Sequence, residues 1–182
     1  MALDPKLQAL EAALWLASQK TQKKIVLFYN PAASGLIAEY YPLAKGDERH
    51  RVGEYWVRSE QAAYTADRAY RLFIKLFSAE AIKNKPLTVV EFSRFCKLYF
   101  NSYPNDDMST NRLHFFIQAI REGVIVEMTK CKCCGEPYVV HRFDCQLKTC
   151  GVCRRRDAIK AAYNTMPSAP MQMAQQLSPL EV

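Results

Sequence analysis

Cys131-Lys132-Cys133-Cys134-Gly135 and, with fifteen residues between Cys134 and Cys150, Cys150-Gly151-Val152-Cys153 decide how this chain is read. They form C-x2-C, a connection, and C-x2-C, the spacing of a zinc ribbon. Zn2+ takes four soft ligands in a tetrahedron, and structural sites are commonly four Cys thiolates. A C-x2-C pair chelates from one tight turn, and Gly135 suits the backbone bend just after the first pair. Cys131, Cys134, Cys150 and Cys153 are therefore the expected ligands of one structural Zn2+ per chain. Such a set leaves no coordination position for substrate or water.

Three other residues in the segment could compete. Cys133 neighbours Cys134, and its side chain should diverge if Cys131 and Cys134 converge; Cys145 could replace Cys150; His141 closes the β-prone run Tyr138-Val139-Val140 and reads as a strand-end residue. Disulfides are the rival use of clustered cysteines. Met1-Ala2-Leu3-Asp4 has neither a basic n-region nor an apolar h-region, which predicts a reducing, cytoplasmic setting where such clusters bind metal. A redox C-x-x-C would need a βαβ context, and none surrounds Cys150.

Charge gathers around the same motif. The chain carries a net charge of +7. Residues 130–160 hold Lys130, Lys132, Arg142, Lys148, Arg154, Arg155, Arg156 and Lys160 against Glu136, Asp144 and Asp157. A concentrated basic stretch attracts phosphate backbones through counterion release. A metal-stiffened unit beside it points to nucleic acid, with Lys130, Lys132, Arg142, Lys148, Arg154, Arg155 and Arg156 as phosphate contacts and Lys23 and Lys24 as secondary candidates.

Ahead of the cysteines the chain reads as helices. Asp4-Pro5 is an N-cap followed by proline in the first turn. Leu3, Leu7, Leu10, Leu14 and Ala17 then form a narrow apolar seam, suited to core packing or to a partner subunit. A second short helix starts at Thr21-Gln22-Lys23-Lys24 and breaks at Asn30-Pro31, and residues 32–41 form a third, a possible helix-turn-helix. Residues 43–53 read as a charged loop. A longer helix covers roughly 55–78, with Ala62, Ala66, Ala69, Phe73 and Leu76 on a face of small residues that permits close helix approach. Thr88-Val89-Val90-Glu91 is a capping box, opening a helix with Val89, Phe92, Phe95, Cys96 and Tyr99 inward. Ser109 caps the next, whose stripe is Leu113, Phe116, Ile117 and Ile120 and whose end is Gly123. His114 lies one step off that stripe and receives no role.

The expected fold is thus mainly α: a helical bundle domain over 1–123, a small four-cysteine zinc-ribbon-like module over 124–160, and a tail over 161–182. The tail, with three Pro, three Met, three Gln and one charge, reads as disordered. No run approaches a membrane span. The patterns G-x-S-x-G, H-E-x-x-H, G-x-G-x-x-G and the Walker loop are missing, so the chain is not expected to be an enzyme.

The stretch from Asn111 to Cys153 resembles the C-terminal half of FlhC, the larger subunit of the bacterial flagellar master regulator. The likeness rests on the aromatic helix Arg112-Leu113-His114-Phe115-Phe116, on Glu122-Gly123-Val124-Ile125, on the C-x-C-C-G cluster at Cys131–Gly135, on Tyr138-Val139-Val140-His141 and on Cys150-Gly151-Val152-Cys153. Order and pattern extend it over roughly residues 5–160, with Thr21–Tyr29 before a loop and Tyr55-Trp56 opening the long helix. The resemblance implies a double-stranded-DNA-binding activator subunit. Its partner would be a smaller FlhD-like subunit, in an assembly of four D and two C chains acting on RNA polymerase holoenzyme at flagellar or conjugative-transfer promoters. It implies zinc on Cys131, Cys134, Cys150 and Cys153. The chain departs from the flagellar pattern in a shorter N-terminus, a connection tighter by one residue, the Arg154–Arg156 run and the Met/Gln/Pro tail. These departures tilt the expectation towards a regulator carried by a mobile element. A protein-interaction adaptor and an RNA-binding protein are the alternatives.

Overall fold

Asp4 begins the first helix as its chemistry dictates: Oδ1 accepts the Lys6 N–H at 3.0 Å, and Pro5 occupies the first turn. The structure, a computed structural model, describes residues 4–33, 35 and 56–165. Within them lie seven α-helices and one two-stranded antiparallel sheet: α1 (Pro5–Ser18), α2 (Lys23–Tyr29), α3 (Glu60–Phe77), α4 (Ala79–Asn84), α5 (Val89–Ser102), α6 (Thr110–Arg121), β1 (Ile125–Met128), β2 (Tyr138–His141) and α7 (Gly151–Thr165). The fold is mainly helical, as expected. No described helix is long and apolar enough to cross a membrane.

The leucine seam of α1 is not its buried face. Leu7 is 43% exposed, whereas Ala12, Ala13 and Leu16 are buried. Ala9, Ala12, Ala13 and Leu16 repeat with the same helical period, one residue out of step with the leucines. The small set wins because alanines let α1 lie close against α5. Leu3 falls outside the described residues. The turn into α2 is fixed by polar contacts to the start of α6: Thr21 and Thr110 hydroxyls meet at 2.7 Å, and Asn111 Oδ1 accepts the Gln22 N–H at 2.8 Å. α2 ends at Asn30, and Pro31–Ala33 make a short 3-10 turn. The third helix expected over 32–41 and the loop over 43–53 lie outside the described residues, apart from that turn and Gly35.

The long helix starts later than its pattern suggested. Trp56–Arg58 form a 3-10 turn, and Ser59 caps α3 by accepting the Ala62 N–H at 3.2 Å. α3 is central: Ala63, Ala66, Asp67, Ala69, Tyr70 and Phe73 are all buried. The short helix α4 was not anticipated. Arg121 of α6 donates to the Ile82 and Lys85 carbonyls at 2.8 and 2.7 Å, satisfying carbonyls that α4 leaves unpaired at its end.

The capping box at α5 is complete: Thr88 Oγ1 accepts from Glu91 N at 3.2 Å, and Glu91 accepts from Thr88 N at 2.9 Å. The inward faces expected of α5 and α6 are the buried ones. Gly123, at φ +71°, ends α6. Its N–H reaches Ile120 O at 3.1 Å, and Val124 N–H reaches Ala119 O at 2.9 Å, the paired bonds of a Schellman motif. That turn aims the chain into β1, which pairs with β2 from Ile125↔His141 to Met128↔Tyr138.

Strand alternation splits β2 between two cores. Val139, with Ile125, joins the large helical cluster; Tyr138 and Val140 point into a smaller one with Cys131, Cys150 and Cys153. The second cysteine pair begins α7 rather than a second hairpin turn, so the arrangement is a hairpin-borne knuckle facing a helix start. α7 also corrects the tail: residues 161–165 are helical, and 166–182 lie outside the described residues.

Candidate metal centre

The first cysteine pair is shaped by its turn. Gly135 N–H bonds to Cys131 O at 2.9 Å, and Gly135 sits at φ +78°, a conformation open to glycine. The second pair spans the first turn of α7. Together they bring the Sγ atoms of Cys131, Cys134, Cys150 and Cys153 within 4.8 Å of one another, a group that could hold a metal ion. Cys134 and Cys150 Sγ lie 3.8 Å apart, and all described cysteines are free thiols, so the cluster is not a disulfide framework.

Backbone amides point at the sulfurs. Cys131 Sγ accepts from Cys133 N at 3.4 Å and Cys150 N at 3.3 Å; Cys150 Sγ accepts from Cys153 N at 3.3 Å. Burial pushes the Cys131 thiol up, but the amides of Cys150, Cys134 and Cys133 together outweigh it and bring it down to about 6. Burial raises Cys150 and Cys153, and in Cys153 the neighbouring thiols add to the rise. One anionic sulfur thus forms readily, and the next ones resist ionising beside it. A bound cation would let all four ionise.

The site is clamped from α3. Asp67, fully buried, accepts the Val139 N–H at 2.8 Å through Oδ1 and the Gly151 N–H at 2.5 Å through Oδ2. One carboxylate therefore ties β2 to the start of α7, where the helix dipole favours an anion. Burial lifts its pKa to about 6, against the pull of the Val139 and Gly151 amides and Arg71. One turn on, Arg71 donates to Pro137 O at 3.0 Å and reaches Cys134 Sγ at 3.6 Å. Gly151 makes the approach possible. A Cβ there would lie 2.5 Å from the Ala63 carbonyl carbon and 2.7 Å from the Tyr64 nitrogen. Close helix approach on α3 thus occurs at Ala63 and Tyr64, beside the expected face of Ala62, Ala66 and Ala69 and not on it.

No protein-family model, curated protein or solved structure matches this chain.

The remaining candidates scatter around the cluster. Cys133 points outward, its Sγ 2.9 Å from Arg156 Nη2; Cys145 donates to Arg142 O at 3.2 Å; His141 Nδ1 accepts the Phe143 N–H at 3.3 Å. None of the three belongs to the four-sulfur group. Lys132 N bonds Lys148 O at 2.9 Å, which sets two exposed lysine-bearing loops side by side, with exposed Lys130 at the edge. Arg142 is exposed in the turn after β2. The Arg154–Arg156 run is not one patch, because a helix turns each residue about 100° from the last. Arg154 and Arg155 are half-buried. Arg155 bonds Gln61 Oε1 and stacks 5.1 Å from the Tyr64 ring centre, while Arg156 pairs with Asp157 at 3.1 Å. Lys23 and Lys24 are exposed on α2, which packs on α1 and α5 rather than on the knuckle.

Sequence reasoning missed Asp67, Arg71 and Gly151. An acid in the middle of an otherwise apolar stripe, four residues before an arginine, was the available signal for the first two. For Gly151, the signal was a glycine between two ligands at a helix start, where glycine has no intrinsic advantage.

Proposed function

We propose that Cys131, Cys134, Cys150 and Cys153 hold one structural Zn2+ and that the chain is the DNA-binding subunit of an FlhC-type transcription activator. The four-sulfur cluster carries this reading. A tetrahedron with Zn–S bonds of about 2.3 Å has S···S edges of about 3.8 Å, the separation of Cys134 and Cys150. When bound, the ion supplies cross-linking and charge, and no Lewis-acid chemistry is asked of it. Asp67 orients the Gly151 end of α7, Arg71 balances anionic sulfur, and the basic loops at Lys130, Lys132 and Lys148 stand at the rim. Those lysines, with Arg142 and Arg156, would fix the protein on phosphates without reading sequence. In this reading the helical body carries the surface for a smaller FlhD-like subunit, and the assembly acts on RNA polymerase at flagellar or conjugative-transfer promoters.

The test is chromatin immunoprecipitation of the chain in the cells that make it, with metal analysis of the purified protein. Sharp occupancy upstream of a few operons and one zinc per chain are expected. Diffuse or absent occupancy from an intact, zinc-loaded protein would replace this reading with the adaptor or RNA-binding one.

A further inference from the structure

α7 outruns the body it is anchored to. Its start is held by Asp67, by the two cysteines and by the fit of Gly151 against Ala63, and Arg155 is its last half-buried residue. From Arg156 to Thr165 every residue is exposed, including Ile159 at 57% and Tyr163 at 78%. Ten helical residues rise about 15 Å. The free part is lopsided in chemistry. On a 3.6-residue helix, Arg156, Ile159, Lys160, Tyr163 and Asn164 fall within an arc of about 140°. Ala158, Ala161, Ala162 and Thr165 occupy the opposite side.

We propose that this exposed half of α7 lies lengthwise in the major groove of duplex DNA, with Lys160 and Asn164 reading base edges and Ile159 and Tyr163 supplying apolar contact. The inference rests on the DNA-binding reading above and adds to it the element that reads sequence. Charge complementarity selects the occupant: the exposed half of α7 carries Arg156 and Lys160 against the single acid Asp157, itself paired with Arg156, and the exposed Lys130, Lys132 and Lys148 stand around the knuckle at its base. A second copy of α7 would meet the same positive charge. A protein groove would call for a continuous apolar stripe, and here Ile159 and Tyr163 are flanked by Arg156, Lys160 and Asn164. Size agrees, since a helix about 10–12 Å across enters a groove about 12 Å wide. Lysine reads guanine O6 and N7, asparagine reads adenine N6 and N7, and apolar groups meet the thymine methyl. The carbonyl end of a helix is partly negative, so entry is along the groove and not end-on. Anchoring by metal and by Asp67 supplies the rigidity that base readout needs.

The experiment is in vitro selection from a duplex library with a random core, using the full zinc-loaded chain and a Lys160→Ala/Asn164→Ala variant. Both positions are fully outside the core, so zinc content and circular dichroism should match. Wild type should recover a consensus. The variant should keep salt-dependent binding to bulk duplex and lose about ten- to a hundredfold of the preference for that consensus. An Ile159→Ala/Tyr163→Ala variant should lose preference at thymine-containing positions. If the lysine–asparagine variant recovers the same consensus with undiminished preference, α7 does not read the groove, while the DNA-binding reading stands. If wild type shows no salt-dependent duplex binding, both fall.

Discussion

The helical body and the cysteine unit are stabilised in different currencies. Among the described residues, the body gathers twenty-six buried side chains, including Phe73, Phe92, Phe95, Tyr99 and Phe116. The cysteine unit gathers five, of which three are Cys131, Cys150 and Cys153. Tyr138 and Val140 together bring about 3–6 kcal/mol of burial. Fixing even some twenty backbone residues costs several times that. The body can therefore order on apolar contact, whereas the knuckle needs a further cross-link, which the proposed metal on its four sulfurs would supply.

On the proposed zinc site, removing the metal is the largest break available. Structural zinc supplies about 10–16 kcal/mol to a unit of this kind. Stripping the full chain with a strong chelator should expose the amides of residues 131–155 to exchange and leave those of α5 and α6 protected. Cys150→Ser should do the same without chelator. Loss of protection in α5 and α6 at the same step would show that the two regions are one cooperative unit.

The clamp comes next. Gly151→Ala places a methyl carbon 2.5 Å from backbone that cannot swing aside, so α7 must move. Overpacking of this kind costs about 1–3 kcal/mol. Asp67→Ala leaves the buried Val139 and Gly151 amides without their acceptor, at about 1–3 kcal/mol each. Both variants should weaken metal binding by about ten- to a hundredfold, measured by competition with a chromophoric chelator. Unchanged affinity would mean that the knuckle positions its sulfurs without help from α3.

What could be read in the sequence follows the range of each interaction. Asp4, Thr88 with Glu91, Ser109 and Gly123 act on amides or carbonyls within a few residues, and each stands where the pattern placed it. The ligand pairs are local in the same sense, with cysteines three positions apart around one turn. Asp67 acts on an amide 84 residues away, and Arg71 on a sulfur 63 away. Nothing local marks such partners. The face of α1 was hidden for another reason: two stripes share one period, and only contact with α5 chooses the alanines. The helical character of residues 151–165 was hidden because an exposed, charged helix carries no apolar stripe, although nothing after Gly151 breaks it.

Acid should break both regions, by separate routes. His114 is buried between Phe28, Tyr29, Phe92 and Phe115, with Nδ1 3.0 Å from the Tyr29 hydroxyl. Burial, then Arg121 and Lys24, lower its pKa from 6.5 to about 4. A depressed basic group binds its proton less tightly folded than unfolded. Stability is therefore full above about pH 6.5 and falls by about 3 kcal/mol as pH drops to about 4. His114→Gln should flatten that decline in the metal-free protein, followed by denaturant melts at several pH values. Release of metal by protonated thiols is a second acid loss, untouched by this variant. Were the decline to persist unchanged in His114→Gln, the body's acid sensitivity would have to come from another group.

The smallest expected effect sharpens the comparison most cleanly. Thr88→Ala removes one half of the capping box at α5, on the far side of the body's accounting from the metal. It should cost about 1 kcal/mol. Because α5 draws on the large apolar core, that loss should appear in the body's unfolding transition alone, with metal affinity unchanged. Asp67→Ala, which orphans two amides at a total of about 2–6 kcal/mol, should change metal affinity as well, because its carboxylate bonds Gly151 between Cys150 and Cys153. Loss of stability with metal affinity intact in Thr88→Ala, beside loss of both in Asp67→Ala, would separate the regions by mechanism. Equal effects on the metal would mean that stability lost anywhere in the body is felt at the sulfurs, and that α3 transmits it.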